Sequence, residues 1–232
     1  MVGLAGQLSR RDPALLDVRR ASEEYVHRRT ARYDVEPGRP LTVRRLFDRL
    51  SHFLGRDDVA IAETGVALFS AAEMLMPEGT TFLGQSFYAS IGYTVGATVG
   101  ACLAVPGRRV MLFVGDGAFQ VTGQELSTII RNGLKPVIIL LNNDGYTIER
   151  VICDRPYNDL QPWNYHRLVE VFGTGLAFDV RTEGELEEAL HQAEAADSVV
   201  FIEVHTDRLD CFESLKGAGA AMARANHVAL GT

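Results

Sequence analysis

The sequence predicts an α/β fold: a mostly parallel sheet with helices on both faces. Two uninterrupted apolar runs, at 110–114 and 137–141, have the length and branching of strands buried on both sides. A helical pattern at 124–133 lies between them. A strand–helix–strand unit within one sheet makes its two strands parallel neighbours. Short apolar runs and helical patterns alternate along most of the chain, as they do where helices cover both faces of a parallel sheet.

Residues 1–40 are polar, with arginine pairs at 10–11, 19–20 and 28–29. Residues 14–32 suit an amphipathic helix. Residues 34–40, with two prolines and a glycine, read as a linker. This segment is expected to be an extension of the main domain, residues 41–232. Residues 41–54 carry apolar side chains at 43, 46, 47, 50, 53 and 54, a helical period. Residues 59–62 are a short strand, and 66–76 a helix stopped by Pro77. Residues 80–83 form a second strand. Residues 90–105 form a buried helix with Gly92, Gly96 and Gly100 at four-residue spacing. The 110–141 unit follows, with a loop ahead of its helix. Residues 164–172 are helical and 177–180 a strand. Residues 182–196 form a surface helix with Thr182 as N-cap and Glu185 as its capping-box partner. Residues 199–204 are the last buried strand, and the alanine-rich tail after Phe212 is expected to be helical.

Composition narrows the function. A chain of 232 residues suits one domain with an appendage, and 47% hydrophobic residues suffice for a buried core. A net charge of −7 argues against nucleic-acid and anionic-membrane partners. Cys102, Cys153 and Cys211 are widely spaced. They make neither a zinc pattern nor a disulfide framework, so a cytoplasmic location is expected. The N-terminus lacks the apolar core of a signal peptide, and its acidic residues are unlike a transit peptide. The uncharged stretch 89–105 is short for a membrane span and ends at Pro106-Gly107.

The chemistry sits at the ends of the two apolar runs. Gly115-Asp116-Gly117 closes the first and Asn142-Asn143 the second. Adjacent parallel strands bring these to the carboxyl edge of the sheet, where open α/β sheets bind ligands. The Asp116 carboxylate and the Asn143 amide oxygen are hard ligands suited to Mg2+. Gly117 lets backbone approach a phosphate, and Gly145 can turn a bare carbonyl toward the same ion. Mg2+ held by few protein oxygens completes its shell with phosphate and water. The pattern is therefore read as a Mg2+-diphosphate site.

This pattern resembles the diphosphate-binding motif of thiamine diphosphate (ThDP) enzymes. With NNDGYTIER (142–150) and PYNDLQPW (156–163) behind it, it resembles the pyruvate, indolepyruvate and branched-chain 2-oxo acid decarboxylases. AETG (62–65), FLGQSFYASIGYTVGA (82–97), QELSTIIR (124–131) and GLKP (133–136) resemble the same branch, so the likeness spans roughly residues 40–215. It implies the ThDP-binding fold, with ThDP and Mg2+ as cofactors. Asp116, Asn143 and the Gly145 carbonyl would hold the metal. Thr64, Gly65, Ala89, Ser90, Ile91, Gly115, Gly117, Ala118, Tyr146, Thr147 and Ile148 would lie against the cofactor. Glu149, on the first turn of a helix, would face the thiazolium C2 and the substrate and transfer protons. A carboxylic acid beside a dry cofactor face has a raised pKa and exchanges protons near neutrality. Ile91 stands where the family keeps a large aliphatic side chain under the two rings. Ala89 replaces a usual glycine whose backbone meets the aminopyrimidine.

Some positions depart from the family. Val66 and Ala118 replace hydroxyl residues near the diphosphate, a loss of about 1 kcal/mol per hydrogen bond. Ile152-Cys153-Asp154 stands in place of an Ile-His-Gly segment. Cys153 reads as a packing residue, because no basic partner is evident. His52, His166, His191, His205 and His227 look like surface or helix-face residues, and Trp163 like a core anchor. Family members also carry a pyrimidine-binding domain whose Glu activates the cofactor, and no residue here matches it. The resemblance therefore implies one subunit of a two-component decarboxylase, active with a separate pyrimidine-binding subunit in an α2β2 hetero-oligomer. The substrate would be a small 2-oxo acid losing CO2 to give a carbanion/enamine. A carboligase of the same architecture is the alternative. A non-catalytic regulatory relative is a third reading, against which the intact Asp116, Asn143 and Glu149 weigh.

Overall fold

The computed structural model describes residues 31–225. The helix expected at 14–32 and the end of the tail, 226–232, lie outside them but for residues 31 and 32. The described residues from Asp34 onward form one compact unit. Its elements are α1 (Val43–Phe53), β1 (Val59–Ala62), α2 (Val66–Ala71), β2 (Thr81–Gly84), α3 (Tyr93–Ala104) and β3 (Val110–Gly115). Next come α4 (Asp116–Thr122), α5 (Glu125–Arg131), β4 (Val137–Asn142) and α6 (Thr147–Cys153). Two 3-10 turns (Pro156–Asn158 and Tyr165–Arg167) precede α7 (Leu168–Phe172), β5 (Leu176–Val180), α8 (Glu183–Glu194), β6 (Val200–His205) and α9 (Glu213–Ala225).

The six strands make one sheet in the order β2-β1-β3-β4-β6-β5, and every neighbouring pair is parallel. Strand side chains alternate between two cores. Ala60, Phe113, Ile139 and Ile202 pack with α1, α2, α8 and α9. Ile61, Leu112, Ile138 and Phe201 pack with α3, α4, α5 and α7. This explains the unbroken apolar runs: both faces of the strand need hydrocarbon. The chain leaves β1 to lay β2 on one side, then returns to lay β3 on the other. The α2 and α4 connections therefore depart on opposite faces, which opens a crevice between the carboxyl ends of β1 and β3.

Helix starts are legible locally. The Thr42 hydroxyl accepts from the Arg45 N–H at the start of α1, and the capping box of Thr182 and Glu185 opens α8. Residues 34–40, expected as a linker, are tied to α8. The Glu36 N–H donates to Glu183 Oε2 at 2.9 Å, Arg45 forks onto the same carboxylate, and Pro40 bridges Thr182.

Several expectations fail for physical reasons. Helix α2 ends at Ala71, because the N–H groups of Glu73 and Met74 turn back to the Ser70 and Ala71 carbonyls. The tighter turn brings Met74 into the core. The loop expected after Gly115 is helix α4, entered directly from β3. Helix α3 begins at Tyr93, not at 90, because Tyr88, Ala89 and Gly92 are left-handed (φ +53°, +49° and +89°). Nor is it buried all round. Thr94, Val95 and Thr98 face the core, whereas Tyr93 and Leu103 are exposed and Gly96 and Gly100 face open space. Trp163 is 41% exposed and not a core anchor. Tyr165 takes that place, edge-on to Phe119, with its hydroxyl bonded to Gln120 Nε2 at 2.7 Å. Among the described residues, no helix is long and apolar enough to cross a membrane.

Candidate functional site

A cavity of ≈ 290 Å³ opens at the carboxyl ends of β1, β3 and β4. Thr64 and Gly65 line it from β1, and Ala89 and Ile91 from the loop before α3. Gly115, Asp116, Gly117 and Ala118 line it after β3, and Asn143, Gly145, Tyr146, Thr147, Ile148 and Glu149 after β4. Val66 and Leu141 also contribute. Ser90 alone of the expected residues stays outside. Its N–H bonds the Phe87 carbonyl, and its own carbonyl accepts from Gln85 Nε2.

Asp116 is 2% exposed. Its Oδ1 accepts from the Gly117 N–H at 2.7 Å and its Oδ2 from the Gly145 N–H at 3.0 Å, which ties the end of β3 to the loop after β4. Among the described residues no cationic side chain pairs with it. Burial pushes its pKa up to about 6, against the pull of the N–H groups of Gly117, Gly145 and Asn143. Asn143 is 3% exposed and lines the same cavity. A buried carboxylate without a counter-charge is costly unless a cation completes it. No group of three or more His, Cys, Asp or Glu side chains is placed to hold a metal among the described residues. Asp116 with nearby neutral oxygens could offer one carboxylate and few other ligands, a sparse set that would suit Mg2+ shared with phosphate.

The loop that carries these groups is cross-braced. Arg150, buried, donates to the carbonyls of Asn143 (2.9 Å) and Asp144 and to Asp159 Oδ1 (2.8 Å). The Tyr146 N–H bonds the Asn158 carbonyl at 2.9 Å, and Gly145 pairs with Asp159. Gly145 has φ +136°, and a Cβ there would collide with the Asn158 carbonyl oxygen. A side chain at Gly117 would collide with the Tyr146 ring, which fills the place of its missing Cβ. The Thr147 hydroxyl donates to the Arg208 carbonyl. Thr64 is thus the lining threonine whose hydroxyl has no protein partner among the described residues, while Val66 and Ala118 bring none.

Glu149 sits on the first turn of α6, as expected. Its side chain is exposed and unbonded among the described residues, so they do not build the dry surroundings expected for it. Helix α9 supports α6 from behind, with Gly219 against Val151.

Three features went unassigned in the sequence. Glu63, inside the AETG segment, is fully buried and bonds to residues some thirty positions away. Arg150 lies next to Glu149, with nothing local to mark it as a brace. His166 and His205 are not plain surface residues. His166 donates its backbone N–H to the buried Glu203 at 2.9 Å and sets ring Nδ1 2.6 Å from it, and His205 lies 2.6 Å from Asp179. Glu203 also accepts from Asn142 Nδ2 at 2.7 Å. No local pattern reveals that network.

The switch-point crevice and its sparse oxygen ligands are those of a cofactor-binding α/β domain. Residues 63–204, more than half of the chain, match the thiamine pyrophosphate enzyme C-terminal TPP binding domain, and the chain belongs to that family. It is 43% identical over 197 residues to pyruvate decarboxylase 4 of Arabidopsis thaliana, covering 82% of this chain and 33% of that protein. It is 45% identical over 176 residues to the alpha-keto-acid decarboxylase of Mycobacterium tuberculosis H37Rv, covering 74% and 31%. Among solved structures it resembles the thiamine diphosphate-dependent 4-hydroxybenzoylformate decarboxylase of Rhodococcus jostii RHA1. The TM-score is 0.67 and the identity 26%, over 75% of this chain and 34% of that one. The chain spans about a third of the length of the curated relatives it matches.

Proposed function

We propose that this chain is the diphosphate-binding subunit of a two-component, ThDP-dependent decarboxylase of small 2-oxo acids. A separate subunit in an α2β2 assembly supplies the pyrimidine-binding domain. The observation that carries the cofactor reading is Asp116, a buried carboxylate without a counter-charge, with Asn143 beside it in the cavity lining. Asp116, Asn143 and the Gly145 carbonyl hold Mg2+. Thr64, Gly65 and Gly117 lie toward the diphosphate, and Ala89, Ile91 and Ile148 toward the rings. Bound ThDP supplies the electron sink for cleavage of the bond to the substrate carboxylate.

This chain's residues hold, orient and exchange protons. The Arg150 brace keeps Asn143 and Gly145 in place, so little reorganisation accompanies binding. Glu149, aimed from the first turn of α6, gives and takes a proton at its carboxyl oxygens. Phe87, Tyr88 and Tyr93, which flank Ala89 and Ile91 in the chain, are exposed. A partner docked over them also excludes water from Glu149. Replacing Asp116→Ala should abolish Mg2+-dependent ThDP binding in calorimetry, and an unchanged affinity would remove the metal assignment. The chain with its partner, screened against a panel of 2-oxo acids, should release CO2. Silence across the panel with ThDP bound would sink the decarboxylase reading.

A further inference from the structure

We infer that Glu63 is a positioning residue. It fixes the ring-side wall of the cavity, Ala89 and Ile91, against the turn that carries Thr64 and Gly65, and this role rests on the ThDP reading above. Glu63 is 0% exposed and follows the last residue of β1. Its Oε2 accepts from the Gly92 N–H (3.0 Å), the Thr94 N–H (3.2 Å) and the Thr94 hydroxyl (2.8 Å). Its Oε1 accepts from the Thr64 N–H at 3.0 Å. No cation pairs with it among the described residues. Burying a carboxylate on neutral donors alone is costly, and here three of its four donors belong to one feature, the start of α3. That helix has Gly92 as its N-cap and no cap from a nearby side chain. Glu63 takes over the capping from β1, where the helix dipole favours negative charge.

The segment entering α3 is what needs holding. Tyr88 and Ala89 sit in left-handed backbone, which costs a non-glycine residue on the order of 1 kcal/mol each and persists only where the surroundings enforce it. Their local bonds, Ser90 N–H to Phe87 and Ile91 N–H to Ala89, close small loops without reaching the sheet. The next residue, Gly92, is anchored twice. Its N–H goes to Glu63, and its carbonyl accepts from the Thr122 hydroxyl at 2.7 Å. Glu63 is the anchor that also touches the cavity turn, through Thr64. One side chain thereby sets the distance between the two sides of the site.

The test separates ring-side from diphosphate-side binding. An amide has one acceptor oxygen where a carboxylate has two, so Glu63→Gln sets an N–H against either Thr64 or the start of α3. Calorimetry on the full-length chain would measure Mg2+ with ThDP, and Mg2+ with inorganic pyrophosphate. The variant should bind ThDP about tenfold more weakly and pyrophosphate within about twofold of the unaltered chain, the scale of one lost charge-assisted hydrogen bond. Should Glu63→Gln fail to fold, Thr94→Val deletes one donor alone and should show the same split at about threefold. Equal weakening of both ligands makes Glu63 merely structural and overturns the inference, as does no change in either. If the unaltered chain binds neither ligand, the cofactor reading falls and takes this inference with it. If it binds both and the variants are indifferent, only the role of Glu63 falls.

Discussion

Around Asp116 and Asn143 the cavity wall is buried, stitched by Arg150 and closed on the 156–159 turn. Around Ala89 and Ile91 the wall is a left-handed loop, with Tyr88 98% exposed beside it. The first wall is finished by the chain's own bonds. The second is fixed at its far end by Glu63 and otherwise presents aromatic surface outward. Rigidity lies on the side where we propose that a small, hard ion is coordinated, which fits the little misplacement that metal ligands tolerate. The ring side carries exposed apolar groups, which suit coverage by a partner.

The largest expected effect concerns the residue that belongs to the firm wall yet faces outward. In the assembled enzyme, Glu149→Gln should lower turnover by about 10²-fold or more with ThDP affinity nearly unchanged, the scale of a lost general acid–base. Wild-type turnover between roughly pH 5 and 8 would show that Glu149 only shapes the wall. The next contrast is between two glycines. Gly145→Ala forces a Cβ onto the Asn158 carbonyl at φ +136° and should cost about 2 kcal/mol or more in urea unfolding. Gly96→Ala on the open face of α3 should stabilise the isolated chain by about 0.5–1 kcal/mol. A loss at Gly96 as large as that at Gly145 would contradict the open space around the one and the tight packing around the other.

A third effect is on pH. Burial holds the Asp116 pKa up at about 6, above its ordinary value of 3.8. Without metal, the folded state binds this proton more tightly than the unfolded state. The contribution to stability is therefore present at low pH and is lost as pH rises from 3.8 toward 6. Mg2+ needs the deprotonated form, so its affinity runs the other way and should fall about tenfold per pH unit below 6. Calorimetry at pH 5 and 7, with Asp116→Asn as the flat control, checks the sign. The smallest effect belongs to the looser wall. Ala89→Gly relieves left-handed strain and should raise stability by about 0.5 kcal/mol. A drop in thermal midpoint would mean that the loop is not strained at that position.

What was legible in the sequence was local. Strands β3 and β4 are continuous apolar runs because both faces are covered, and the glycines and carboxamides that end them mark the site directly. Thr182 and Glu185 announce α8 because the capping box closes within four residues. Bonds that span the fold leave no such trace. Glu63 reaches Thr94, and His166 reaches Glu203, through contacts that exist only once the sheet is ordered. Trp163 misled because aromatic size suggests burial, whereas Tyr165, whose hydroxyl finds Gln120, is the ring that goes inside. The exposure of Glu149 was hidden for a related reason: its dry surroundings are not built by the described residues.

Strand order has one more consequence. β4 lies between β3 and β6, and the loop after β4 leans on the carbonyl of Arg208, which bonds both Thr147 and Arg150. Synthesis proceeds from the N-terminus, so β4 leaves the ribosome with one edge bare and its loop unsupported. Both stay that way until some sixty more residues have been made. The corner around Asn143 is therefore among the last parts of the domain to gain all its supports. A nascent or clipped chain that ends before β6 retains every one of Asp116, Asn143 and Glu149 but lacks the Arg208 carbonyl to which Thr147 and Arg150 bond.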